Sequence, residues 1–279
     1  MNKKLQQLKK TLSKRESVLI AYSGGVDSTF LLKVAKDILD DKVVAVTATS
    51  LIYPACEIKE AKAFTKKLGV RHLIIKPNML FNQKFVENSI DRCYWCKREL
   101  FSKLIELAKK YKFNYVLDGS NYDDTKDFRP GMKAAKELGI RSPLEEACLS
   151  KHEIRSLSEK LGLPTWNKPS LACLASRFPY GMRITKENLA RVDKAETFLK
   201  KLGVTQVRVR HHDRIARIEV CKNEIAVLLK EDIKDKIVTK FKELGYNYVT
   251  VDLEGYRTGS MDEISKRDDY ESLKNIKGS

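Results

Sequence analysis

Three groups of residues in this chain have types and spacings suited to chemistry. The first is Ser23-Gly24-Gly25-Val26-Asp27-Ser28, which follows the apolar run 18–22 and precedes a helical pattern. Paired glycines let a backbone turn tightly and approach a ligand closely. The N–H groups that open the next helix have no intrahelical acceptor and favour an anion, and Ser23 and Ser28 add hydroxyls. The turn therefore suits a phosphate, although neither G-x-x-x-x-G-K-[ST] nor G-x-G-x-x-G is present. The second group is sulfur. Cys93 and Cys96 form a C-x-x-C, which by itself fits a redox pair or half a zinc site. No second pair exists, and Cys173, on a proline-flanked segment, is the natural third partner. Three thiolates suit an iron–sulfur cluster with one iron left open to a non-protein ligand. Cys56, Cys148 and Cys221 have no partner at ligand spacing. The third group is Arg208 and Arg210, at i and i+2, on one face of an expected strand. Planar guanidinium groups suit a phosphate, while the pattern alone equally describes the polar face of an amphipathic strand.

The elements that must position these groups alternate along the first half. Strands are expected at 18–22, 43–49, 72–76, 115–118 and 140–143, with helices at 28–39, 57–68, 97–111, 130–138 and 151–161. The alternation predicts an α/β fold with a doubly wound, parallel five-stranded sheet, followed by a smaller α+β domain. Ligands bind beyond the carboxyl ends of such strands. The Ser-Gly-Gly turn, the loop at Thr47 and the loop at Gly119 would then line one crevice. The predicted division is 1–163 for the nucleotide domain, 164–184 for a linker carrying Cys173, and 185–279 for the second domain with a polar tail. That second domain should hold a helix at 186–202, a hairpin turning at Asp213-Arg214, two more helices and a strand at 248–253. His211-His212 has no partners at metal spacing and reads as surface. Glu196, by pattern alone, reads as part of a solvated helix face.

The chain has 279 residues, 42% hydrophobic and 33% charged, with a net charge of +17. A basic surface attracts polyanions, with RNA and nucleotides as candidates. The excess lysines are scattered over helix faces and carry little specificity. No apolar run reaches membrane-spanning length and the basic first residues lead into no signal-peptide core, so a cytoplasmic protein is expected. Six cysteines in such a chain do not suggest a disulfide framework.

Ser-Gly-Gly-Val-Asp-Ser resembles the PP-loop of the ATP pyrophosphatase superfamily, whose members cleave ATP between the α and β phosphates. With the PP-loop, the segments Pro169–Gly181, reading PSLACLASRFPYG, and Glu254–Met261, reading EGYRTGSM, look like the LarE family of ATP-dependent sulfur transferases. The resemblance runs over nearly the whole chain. It implies adenylylation of a carboxylate of pyridinium-3,5-biscarboxylic acid mononucleotide, then conversion to a thiocarboxylate, for nickel-pincer nucleotide biosynthesis. ATP would contact Ser23, Gly24, Gly25, Val26, Asp27, Ser28, Thr47 and Gly119. Asp27 would support the loop or Mg2+, because it repels phosphate. Catalysis would fall to Cys173, Glu196, Ser176 and Arg177, and substrate binding to Arg208, Arg210, Arg257 and Trp95. Some family members sacrifice one cysteine; others hold a [4Fe-4S] cluster on three. Cys93 and Cys96 align this chain with the second kind, with Cys173 as the third ligand. Sulfide or a donor protein would supply sulfur, and relatives form rings, so a homo-oligomer without nucleic acid or membrane partners is expected. Competing readings are a tRNA thiolation enzyme, an amide-forming ligase such as NAD synthetase, and a non-catalytic scaffold. The A-C-L-A-S-R-F-P-Y-G segment opposes the first, and the thiols oppose the second.

Overall fold

The computed structural model describes residues 3–53, 55–126, 130–169 and 172–261, with the side chains of 55, 56 and 126 left aside. The expected polar tail after Glu263, Ser170 and Leu171, and the Cys56 side chain lie outside the described residues. Contacts divide the chain into two units, Met1–Ala172 and Cys173–Ser279.

The first unit opens with α1 (Lys3–Ser13), a helix absent from the sequence expectations. Its sequence is dominated by lysine and glutamine, yet Leu8 and Leu12 are fully buried against the core. Burying each such side chain contributes about 1.5–3 kcal/mol, enough to hold a short amphipathic helix in place. Then follow β1 (Val18–Ala21), α2 (Val26–Leu39), β2 (Val43–Ala48), α3 (Ala55–Leu68), β3 (Arg71–Ile75) and α4 (Gln83–Val86). The rest of the unit comprises α5 (Arg92–Lys110), β4 (Tyr115–Leu117), α6 (Pro130–Glu137), α7 (Pro143–Glu146) and α8 (Lys151–Lys160). The strands form a parallel sheet in the order β3-β2-β1-β4. Val18 and Ile20 enter the core shared with α1, α2 and α8, while Leu19 is buried on the opposite face, and α5 packs on β1 and β4. Burial on both faces explains why these strands read as continuous apolar runs.

The described sheet has four strands, not five. The segment expected as a fifth, 140–143, adds one parallel bridge between Leu117 and Arg141. Asp118 N–H donates to the Arg141 carbonyl at 3.0 Å, and Arg141 N–H to Val116 at 3.1 Å. Pairing stops there because Pro143 has no N–H for the ladder and opens α7.

In the second unit, α9 (Lys186–Lys201) precedes β5 (Val207–His212), β6 (Ile215–Val220), α10 (Ile225–Leu228), α11 (Glu231–Glu243) and β7 (Tyr248–Val251). β5 and β6 pair antiparallel, and β7 joins β6 in parallel. Val207, Val209, Ala216, Ile218 and Val220 share a core with α9 and α11. The alternation puts Arg208, Arg210 and His212 on the other face of β5.

Candidate functional site

β1 delivers the chain into the Ser-Gly-Gly turn under tight control. Past the strand, Tyr22 N–H still donates to Val46 at 2.9 Å, and the Thr47 hydroxyl donates to the Tyr22 carbonyl at 2.7 Å. Gly24 then takes φ +74°, a left-handed conformation that favours glycine. Gly25 caps α2 with no side chain to accept from the first-turn N–H groups, which leaves them to a ligand. Ser23 and Ser28 hydroxyls lie 3.0 Å apart, and Gly25 N–H donates to Ser23 Oγ at 3.3 Å. The loop after β4 closes on this turn: a Cβ at Gly119 would sit 3.0 Å from the Ser28 nitrogen.

Two lysines flank the turn. Lys151, the first residue of α8, pairs with Asp27, and its backbone N–H donates to Asp123 Oδ2 at 2.8 Å. Ser150 and Glu153 cap that helix reciprocally. Lys168 contacts Glu57 and Glu60 of α3, each at 2.6 Å, and donates to the Gly24 carbonyl at 3.3 Å. Burial pushes the Lys168 pKa down, but the two glutamates together outweigh it and the net shift is upward.

The C-x-x-C lies inside the first turns of α5 rather than ahead of the helix. Cys93 and Cys96, at i and i+3, share one side of it, Cys93 exposed and Cys96 half-buried. α6 packs behind them; a Cβ at Gly131 would lie 2.9 Å from Lys97 and 3.6 Å from the Cys93 carbonyl oxygen. Trp95 has the Lys84 ammonium 4.0 Å from its ring centroid and Tyr94 edge-on at 4.9 Å. Among the described residues, no three His, Cys, Asp or Glu side chains gather as a metal site.

In the second unit, Cys173 caps a turn of 3-10 helix at Leu174–Arg177 and is half-buried. Its carbonyl accepts from Ser176 N–H at 3.0 Å, Ser176 Oγ at 2.8 Å and the Arg177 guanidinium at 3.1 Å. Arg177 continues to Glu196, at 2.8 and 3.0 Å, and Glu196 also accepts from Val209 N–H at 3.0 Å. Arg210 donates to the Ser176 carbonyl at 3.0 Å, to Glu219 at 2.7 Å and to Ser260 at 2.9 Å. Arg208 is buried, 5.2 Å from the Tyr256 ring centroid, and its pKa is lowered first by burial and then by Arg177. A guanidinium held under those conditions favours an anion.

Sequence comparison matches residues 1–126 to the NAD synthase family. An uncharacterized protein of Synechocystis sp. is 44% identical over 264 residues, 95% of this chain and 98% of that protein. The pyridinium-3,5-bisthiocarboxylic acid mononucleotide synthase of Lactiplantibacillus plantarum is 39% identical over 249 residues, 89% of this chain and 90% of that one. The chain belongs to the LarE family. A tRNA-specific 2-thiouridylase of Rickettsia rickettsii is more distant, at 24% over 272 residues.

In this LarE-family chain, tertiary contacts bring Cys173, Ser176, Arg177, Glu196 and Arg210 into one hydrogen-bonded network. Glu196 is buried, so its reading as part of a solvated helix face is corrected: the α9 surface that carries it packs under Arg177 and the edge of β5. Arg257 pairs with Glu254 at 2.7 Å. His211 is not a surface residue: it is buried between Phe178 and Tyr246, with Nδ1 3.1 Å from the Tyr246 hydroxyl. Its side chain follows Val207 and Val209 to the core face. Sequence reading missed Lys151, Lys168 and His72 of β3. The sequence placed Lys151 at the start of an expected helix and His72 at the start of an expected strand, but no local spacing gives these three residues a role.

Proposed function

We propose that this protein uses ATP to adenylylate a carboxylate of pyridinium-3,5-biscarboxylic acid mononucleotide and then replaces the activated oxygen with sulfur. The similarity to the L. plantarum synthase across nine-tenths of both chains carries this reading. The PP-loop geometry supports it, because a carboxylate becomes electrophilic only when its oxygen acquires a leaving group.

In the first step a substrate carboxylate oxygen attacks the α-phosphorus, the bond to the bridging oxygen of the β-phosphate breaks, and pyrophosphate departs. The opening turn of α2, with Ser23 and Ser28, receives the diphosphate. Mg2+ would offset its charge beside Asp27. Lys151 adds positive charge at the same helix end. Gly24, Gly25 and Gly119 leave room for close backbone approach, and Val26 and Thr47 hold the loop's ends. Arg208, Arg210 and Arg257 bind the substrate phosphate as charge-assisted donors, and Trp95 contributes an aromatic face.

In the second step a sulfur nucleophile attacks the acyl carbon, the carbon–oxygen bond to AMP breaks, and AMP leaves with its electron pair. Cys173 handles the sulfur. Arg177, Ser176 and Glu196 hold the backbone that presents it. The placement of Cys93 and Cys96 at i and i+3 on one side of α5 fits thiolate ligation, and a [4Fe-4S] cluster on these two with Cys173 would supply transferable sulfide when bound. Renewal by sulfide or a donor protein and a homo-oligomeric, cytoplasmic enzyme belong to the same reading.

Anaerobic incubation of protein reconstituted with iron and sulfide, with ATP, Mg2+ and the dicarboxylate mononucleotide, tests it. Equal AMP and pyrophosphate, with a product heavier by the exchange of oxygen for sulfur, is expected. No pyrophosphate with this acid would sink it. Iron analysis should give about four irons per chain, lost in Cys93→Ala. A tRNA-dependent release of pyrophosphate would favour the tRNA thiolation reading instead.

A further inference from the structure

His72 lies on β3, the edge strand of the first sheet, remote in sequence from every residue assigned to ATP. Its ring bridges two threonines: Nε2 is 2.8 Å from Thr47 Oγ1, and Nδ1 is 3.0 Å from Thr65 Oγ1. A hydroxyl carries one hydrogen. Thr47 gives its hydrogen to the Tyr22 carbonyl at 2.7 Å, so it must accept from His72, and the ring is the Nε2–H tautomer. In that tautomer Nδ1 is the acceptor toward Thr65, which is 1% exposed on α3 and whose single hydrogen the Ala61 and Lys62 carbonyls, at 3.0 and 3.1 Å, also attract. Burial, reinforced by Lys62, lowers the ring's pKa to about 4, and it is neutral at pH 7. The Tyr22 ring meets the imidazole edge-on at 5.9 Å.

We infer that His72 is a positioning residue for the nucleotide loop, acting through the Thr47 hydroxyl on the Tyr22 carbonyl. This rests on the ATP-using reading above. With the Tyr22 carbonyl and N–H both tied to β2, the chain has to turn at Ser23, and the first-turn N–H groups of α2 are aimed before ATP arrives. Thr47 has its hydrogen committed, so it serves ATP through Tyr22 rather than by donating to phosphate. Removing the Nε2–H frees the Thr47 hydroxyl to rotate and releases the carbonyl.

Glutamine can reproduce a donor at Nε2; asparagine reaches only the Nδ1 position. ATP affinity by calorimetry, and the KM values for ATP and for the acid in pyrophosphate release, distinguish the two. His72→Gln should match wild type. His72→Asn should bind ATP about three- to tenfold more weakly, the loss of one neutral hydrogen bond, with kcat and the KM for the acid unchanged. A residue that only fills space would rank both variants alike. Should His72→Asn fail to fold, His72→Met carries the same comparison against His72→Gln, since methionine fills a similar length with no donor and should lose the affinity that glutamine keeps. Wild-type ATP binding with equal affinities in the paired variants overturns this inference alone. A wild type that binds no ATP overturns the nucleotide reading and this inference with it.

Discussion

Arg177 lays its Nε and one terminal nitrogen on the two carboxylate oxygens of Glu196, at 2.8 and 3.0 Å, with side-chain exposures of 2% and 4%. The same guanidinium holds the carbonyl of Cys173. A buried, bidentate pair thus fixes the backbone of the expected sulfur-bearing residue.

Removing one partner of such a pair strands the other charge in a dry site. Glu196→Ala should cost about 3–5 kcal/mol of stability in urea unfolding. Glu196→Gln keeps one acceptor for Val209 N–H and should cost less. The rate of Cys173 alkylation, measured below the unfolding transition, should rise in both. An alanine variant as stable as wild type would contradict the burial of the pair.

Lys151 pairs with Asp27 yet keeps a 31% exposed side chain at the end of the loop helix. Lys151→Met should leave the melting temperature nearly unchanged. It should weaken ATP binding about tenfold or more, as expected for one charge-assisted hydrogen bond of ~1.5–3 kcal/mol. Calorimetric titration with ATP and Mg2+ checks this, and an unaltered Kd removes Lys151 from the site.

Gly119 is packed on the backbone of α2's first turn, where an added Cβ meets the Ser28 nitrogen at 3.0 Å and its Cα at 3.2 Å. Rigid backbone cannot yield as a side chain would. Gly119→Ala should cost ~1–3 kcal/mol by overpacking. Because the displaced atoms include a loop N–H, the affinity for pyrophosphate should fall as well. Thermal melts beside pyrophosphate titrations would reveal a loss of one without the other.

Burial, with Arg191 nearby, lowers the His211 pKa from 6.5 to about 4. The unfolded chain therefore binds a proton at this site between those values while the folded chain does not. The contribution is fully present above pH 6.5 and is lost as pH falls toward 4. The second unit should melt at progressively lower temperature across that window. His211→Gln should flatten the dependence, and an equally steep profile in the variant would assign it to other groups.

Much of the candidate site was legible because its signals are local. A strand, two glycines and a helix follow one another at 18–39, so backbone sterics and periodicity dictate the turn. Arg208 and Arg210 share a face because a strand has a period of two. The C-x-x-C was visible, though its place inside α5 was not, since helix starts carry weak signals. The fifth strand expected at 140–143 shows the limit: among the described residues this Ile-Arg-Ser-Pro segment adds one bridge to the sheet, and Pro143 opens a helix there.

What the sequence by itself determined is the local patterns suited to chemistry: a Ser-Gly-Gly turn, a C-x-x-C and an arginine pair, each encoded over a few residues. Tertiary structure alone decided the residues that hold those groups in place. Asp27 meets Lys151 across 124 positions, Gly24 meets Lys168 across 144, and Glu196 is buried beneath Arg177. Such pairings follow from where the packed core brings distant segments together, and no spacing along the chain records that.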